Sequence, residues 1–237
     1  GLEHGIWASK HMASLDLISV NGKSLLTALE SSEQNYFPGK LENQLHFEYV
    51  DLKSILVFTS DKSVLISTTI TNTQNEDLTY TPHWKGELFD RFASIKNNQT
   101  HIKVPLERDQ AMYIIPVEKC SIENNANTYD FSLKSCTLKP NESIRFSIEM
   151  QYHPDQKNIQ EPIKQSDVLK AIAANSSRWE SYLKLVNSKE LNEDKKLILT
   201  KSISTLINNW RSAAGALKHD GLFPSYHYKW FHGFWSW

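Results

Sequence analysis

The chain has 237 residues, 40% of them hydrophobic and 22% charged, which is the makeup of a globular protein with one sizeable core or two small ones and excludes a disordered chain. Its 26 Lys and Arg offset 27 Asp and Glu to a formal net charge of −1, so no long-range field recruits nucleic acid or an anionic membrane, whereas a neutral ligand suits the balance. No apolar run approaches the roughly 20 residues that cross a bilayer as a helix, and the opening GLEHGIWASK lacks the charged-then-apolar layout of a signal peptide.

From about Asp16 to Tyr152 the pattern has period two. Leu45, Phe47 and Tyr49 alternate with polar residues, Ser63 to Thr71 is rich in β-branched residues, and Ser143 to Met150 puts Ile144, Phe146, Ile148 and Met150 on one face with Glu142, Arg145, Ser147 and Glu149 largely opposite. Turn signals at Asn21-Gly22, Pro38-Gly39, Asn72 to Asp77 and Lys139-Pro140-Asn141 separate the runs at sandwich-like spacing. Residues 1–152 are therefore expected to form an antiparallel β-sandwich of ten or more strands. Cys120 and Cys136 flank a polar NNANT centre, and both a disulfide across a hairpin and two free thiols fit that placement. Sequons at Asn98, Asn141 and Asn175 matter only in a eukaryotic secretory pathway.

His153 to Gln165, with two prolines and little apolar content, reads as a linker. The period then becomes helical: Leu169, Ile172, Trp179, Leu183 and Val186 share a face, with Ser166 as N-cap and Asp167 favourable to the helix dipole. A second helix opens at Asn192, with Glu193 and Asp194 in its first turn, and lines up Leu199, Ile203, Leu206 and Trp210. Gly215 or Gly221 is expected to end the helical region. The expected organisation is a sandwich over 1–152, a linker and linker helix over 153–190, and a further helical region over 191–237.

The final sixteen residues, Leu222 to Trp237, hold eight aromatics interleaved with Ser225, His227, His232, Gly233 and Ser236. Flat apolar faces beside polar edges suit sugar rings, whose CH faces stack on indoles while their hydroxyls seek directional partners; aromatic packing in a core explains the same residues. Asp220 sits in a Lys-His-Asp-Gly turn, where Asp serves backbone hydrogen bonding, and Glu87 and Asp90, in HWKGELFD, read as solvated loop carboxylates that alternatively reach toward a site. His227 and His232 lie five apart with no third ligand nearby, which argues against metal binding. No Gly-x-Ser-x-Gly elbow and no glycine-rich phosphate loop occurs.

The pieces RWESYL (Arg178 to Leu183), NNWRS (Asn208 to Ser212), GAL, FPS, YKWF and the terminal WSW resemble, in order and in spacing, the entry to the catalytic domain of glycoside hydrolase family 63. The resemblance is specific from Arg178 to Trp237, about a quarter of the chain, and looser at HMASLDLISVNGK (His11 to Lys23). The stretch between Gly233 and Trp235 is shorter than in some bacterial relatives, so no role passes to His232 or Phe234. The resemblance implies a mainly β fold: an amino-terminal β-sandwich, a helical linker and the first helices of an (α/α)6 barrel. It implies an inverting α-glycosidase hydrolysing oligosaccharides, with Trp230, Phe231, Trp235 and Trp237 at the wall of the subsite next to the scissile bond. Lys229 and Arg211 match basic or identical family positions and would bind a sugar hydroxyl or hold a carboxylate. The family's general acid and base lie far beyond these motifs, so it also implies no catalytic residue in this chain, no cofactor or metal, and a partner in the rest of the same enzyme. The alternative is a non-catalytic carbohydrate-binding or scaffold sandwich.

Overall fold

The computed structural model describes residues 9–89, 94–106, 110–153, 159–187, 190–211, 213 and 218–222, the side chains at 185 and 211 excepted. The chain divides into two compact units, one of Trp7–Ala171 and one of Gly1–Ile6 with Ile172–Trp237. Among the described residues no helix is long and apolar enough to cross a membrane.

The first unit is the expected sandwich. Its strands are β1 (Ser9–Ser19), β2 (Leu29–Phe37), β3 (Lys40–Phe47), β4 (Val50–Phe58), β5 (Ser63–Asn72), β6 (Leu78–Leu88), β7 (Lys96–Asn97), β8 (Ile102–Pro105), β9 (Ala111–Pro116), β10 (Cys120–Asn124), β11 (Thr128–Leu133), β12 (Cys136–Leu138) and β13 (Ser143–His153). One antiparallel sheet runs β2-β3-β4-β5-β13-β9-β8-β7; the other runs β1-β6-β11-β10, with β12 also on β6. Turns fall at the sequence signals, and at the two-residue turn Pro38-Gly39 the glycine takes φ 74°, a left-handed conformation that closes β2 onto β3 without a Cβ clash.

Between the sheets lie Leu17, Tyr80, Trp84, Leu88 and Phe131 from the five-stranded sheet and Ile70, Ile114 and Ile148 from the eight-stranded one, all at most 2% exposed. Each such side chain contributes about 1.5–3 kcal/mol by leaving water. The Asn72 amide Nδ2 crosses from β5 to donate to the Leu138 carbonyl at 3.0 Å. The centre of the eight-stranded sheet is covered on both faces, since Leu65 and Ile70, on opposite sides of β5, are both 0% exposed. Ser147 and Glu149, on the side of β13 opposite Ile148, are buried as well: Glu149 accepts from the N–H of Ile163, and Ser147 bonds to Ser67 and Glu118.

A glycine and a tyrosine fit β1 to the sheet. Gly86 on β6 pairs directly with Tyr129 on β11, and a Cβ at Gly86 would fall inside the Tyr129 ring and against the Met12 carbonyl. The ring crosses Gly86 so that its hydroxyl donates to the Met12 carbonyl, in the part of β1 where the register with β6 shifts between His11 and Ser14. The bulged carbonyl is satisfied by a side chain from two strands away. The β10–β11 hairpin forms with Cys120 opposite Leu133, but Cys136 lies past that register on β12, and both cysteines are free thiols.

The helical part contains α1 (Val168–Tyr182), α2 (Lys184–Asn187) and α3 (Glu193–Asn208). A 3-10 turn at Gln165–Asp167 precedes α1, so Ser166 is not an N-cap; the residue before the turn is Lys164, without a side-chain cap. Most of the expected face is turned inward: Trp179 and Val186 are buried, Ile172 and Leu183 half-buried, and Val168 and Asn175 join them at 3% exposed, whereas Leu169 is 58% exposed. Burial of Asn175 closes its sequon. Asn192 caps α3 as expected, its Oδ1 accepting from Lys195 N at 3.0 Å. The helix ends before either glycine: Asn209 Nδ2 donates to Thr205 O at 2.8 Å and closes the last turn. Trp210 therefore leaves the helical face and, with Arg211, forms β14 (Trp210–Arg211), paired with β15 (Gly221–Leu222).

Gly86→Ala is expected to lower unfolding stability by about 1–3 kcal/mol or more, because the added methyl displaces the Tyr129 ring from its only route to Met12. Urea unfolding of the variant measures this, and an unchanged midpoint would contradict it.

Candidate functional site

The residues of the expected sugar site fall as follows. Trp230, Phe231, Trp235, Trp237 and Lys229 lie outside the described residues, as do His227, His232 and Asp90. Arg211 has its backbone in β14, opposite Gly221. Asp220 accepts from the backbone N of Ala213 at 2.7 Å, the turn-fixing role its sequence setting suggested. Glu87 is not a loop residue: it lies on β6 and is ion-paired with Lys10 at 2.5 Å.

That strand carries the best-formed polar surface among the described residues. β6 alternates strictly, burying Tyr80, Pro82, Trp84, Gly86 and Leu88 and turning Thr79, Thr81, His83, Lys85 and Glu87 outward. Every outward residue has a partner on a neighbouring strand or, for Thr81, in the connection between β11 and β12. Thr79 meets Thr137 at 2.8 Å and Thr81 meets Ser135 at 3.0 Å, while His83 Nδ1 lies 2.8 Å from Asp130 Oδ1 and Lys85 Nζ lies 2.8 Å from Asp16 Oδ2. Asp16 also accepts from Ser24 Oγ at 2.6 Å and from Leu17 N at 2.9 Å. Burial pushes the Asp16 carboxyl up, but the Lys85 and Ser24 hydrogen bonds, the Lys85 charge and the Leu17 N–H together hold it below its ordinary value.

At the Glu87 end the surface sinks into an open depression of about 400 Å³, walled by His11, Lys85, Glu87, Glu123, Thr128 and Asp130. Three carboxylates against one lysine disfavour an anion, and the alternating donors and acceptors suit a neutral, hydroxyl-rich ligand of sugar-ring size. What the described groups offer there is hydrogen bonding, with Glu87 paired to Lys10 and Asp130 to His83.

The order Asp130, His83, Ser132 has the connectivity of an acyl-transfer triad, with His83 Nε2 3.5 Å from Ser132 Oγ. It stands on a flat sheet where the β11 backbone is spent on β10 on one side and β6 on the other, which leaves no oxyanion donors beside the serine. Among the described residues no three His, Cys, Asp or Glu side chains converge as a metal set.

A carboxyl with a raised pKa lies elsewhere. Burial pushes Glu118 up to about 7, against opposing hydrogen bonds from the Ser147 N–H, 3.1 Å from its Oε2, and from its own N–H. His83, Lys85 and Asp130 were missed as a group in the sequence reading. The signal was present in LTYTPHWKGEL, whose alternate positions are all polar over the full strand.

No protein-family model matches the chain. Among solved structures it is similar to the heparan sulfate lyase HepC of Pedobacter heparinus, at 9% identity and TM-score 0.46 over 67% of this chain and 26% of the lyase. It is also similar to a protein named as a kojibiose phosphorylase from the human microbiome, at 10% identity and TM-score 0.43 over 83% and 28%. The galactosidase domain of the α-galactosidase–sucrose kinase AgaSK follows at 14% identity and TM-score 0.37 over 59% and 29%. These distant neighbours are carbohydrate-active enzymes, and the chain spans about a quarter of the length of each.

Glu118→Gln keeps the acceptor for Ser147 N but removes the titration. The wild-type carboxyl has its pKa raised on folding, so its stabilising contribution is complete below the ordinary carboxylate range and is lost as pH rises through about 7. The variant is therefore expected to be more stable than wild type by about 1–3 kcal/mol at pH 8, with the difference shrinking toward pH 5. Urea midpoints across that range check it; a difference independent of pH would contradict it.

Proposed function

We propose that this chain is a portion of an inverting α-glycosidase resembling glycoside hydrolase family 63, acting on an α-linked glucoside or related oligosaccharide. The observation that supports the reading is the order of RWESYL, NNWRS, FPS, YKWF and WSW along a chain whose fold is a β-sandwich followed by helices. On this reading the sandwich braces the enzyme. Trp235, Trp237, Trp230 and Phe231 stack on the sugar, and Lys229 and Arg211 hold a hydroxyl or orient a carboxylate.

Inversion requires a protonated acid and a base roughly 6.5–9.5 Å apart with a water between them. Both groups are assigned to the remainder of the enzyme, following the family's order. Release of the sugar from an α-glucoside by the complete gene product is the first test. Trp235→Ala in that protein is expected to lower kcat/KM by at least about a hundredfold with an unchanged melting temperature, because a lost stacking face lets the reacting centre shift out of line. Unchanged turnover in a folded variant would overturn the assignment of Trp235. Glycan binding without hydrolysis would favour the scaffold reading instead.

A further inference from the structure

The side of β13 that faces away from the other sheet carries Glu149, Gln151 and His153, at alternate positions and 2%, 1% and 5% exposed. They form one hydrogen-bonded column: Gln151 Nε2 donates to Glu149 Oε1 at 3.1 Å, and His153 Nε2 lies 3.1 Å from Gln151 Oε1. What covers them is the segment 159–163. Gln160 N donates to Gln151 Oε1 at 3.0 Å, Gln151 Nε2 lies 3.3 Å from Gln160 O, and Ile163 N donates to Glu149 Oε2 at 2.9 Å. The Gln151 carboxamide thus receives Gln160 as a neighbouring strand's peptide group would. The apolar part of the contact is small. Ile159 packs on Ala111, Tyr113 and Ile115, while Gln160, Glu161 and Pro162 are exposed.

We propose that residues 159–163 are a releasable strap, latched to β13 by the Glu149–Gln151–His153 column, which opens and recloses as a unit while the sandwich stays folded. A segment held by apolar area resists opening because its track cannot be rehydrated favourably; a polar track can, since water replaces each lost partner. In the closed state the same three groups are buried, so losing a single partner strands a polar atom, and the latch closes with all of its bonds or none. Gln151 is the keystone because it bonds to Glu149, His153 and Gln160 together. Closed, the strap removes slack from the connection into α1; open, it exposes a polar track on β13.

Backbone amide hydrogen exchange of the whole chain tests this under native conditions and in low urea. In the wild type the Gln160 and Ile163 amides are expected to exchange at least about a hundredfold faster than the β5–β13 ladder amides, with little dependence on urea, the mark of a local opening. Gln151→Met, similar in length but without the hydrogen bonds, is expected to speed those two amides by about a further tenfold and leave the ladder unchanged. Exchange of Gln160 and Ile163 at the ladder's rate with the ladder's urea dependence would overturn the proposal, as would a folded Gln151→Met protein with unaltered rates. Should that variant not fold, the wild-type urea dependence still decides.

Discussion

The fold depends on β13 lying in one register between β5 and β9. Ile148 stands opposite Ile66 on one side and Pro116 on the other, and its own side chain is fully buried. Because side chains alternate, a slip of one residue would turn Phe146 and Ile148 away from the core and drive Ser147 and Glu149 into it. Nothing local enforces this register: the partners come from residues 63–72 and 111–116, far away in sequence, so closing the central sheet costs the entropy of long loops. Both faces of the strand then do separate work, one filling the sandwich and the other holding the segment that leads into α1.

On the other sheet, β6 occupies the matching central place, between β1 on one side and β11 and β12 on the other. Its inward residues include Tyr80, Trp84 and Leu88, and its outward residues are paired one by one with hydroxyls, carboxylates and a lysine. Such exposed pairs contribute little to stability. They orient His83 and Lys85 instead, and they leave the nearby carboxylates beside basic partners. A surface built this way presents fixed donors and acceptors.

Much of the sandwich was legible in the sequence, because alternation and turn chemistry are local. Ser143 to Met150 reads as a strand, Pro38-Gly39 as the turn between β2 and β3, and Asn192 as a cap, from neighbouring residues alone. What was not legible depends on distant partners. The burial of Glu149 goes with the cover of residues 159–163, whose Ile163 N–H meets its carboxylate, which hydrophobicity does not encode. Trp210 looked helical because it keeps the spacing of Leu199, Ile203 and Leu206, yet the Asn209 side chain ends the helix one residue earlier. Of the proposed sugar-binding residues, Arg211 is placed by its backbone and the aromatics are assigned by motif alone. His83 and Asp130 escaped because their pairing is a cross-strand diagonal between segments 47 residues apart.

The functional account joins a sandwich whose Glu87 and Asp130, at the depression, pair with Lys10 and His83 to a motif run whose aromatics suit a glucosyl ring. Its central chemical claim is inversion, since that outcome requires a water between acid and base and forbids a covalent glycosyl intermediate. The most direct measurement is the proton NMR spectrum of the first sugar released from an α-glucoside by the complete gene product, recorded before mutarotation. The account predicts the β-anomer as the initial product. Initial release of the α-anomer would contradict it and indicate a retaining enzyme.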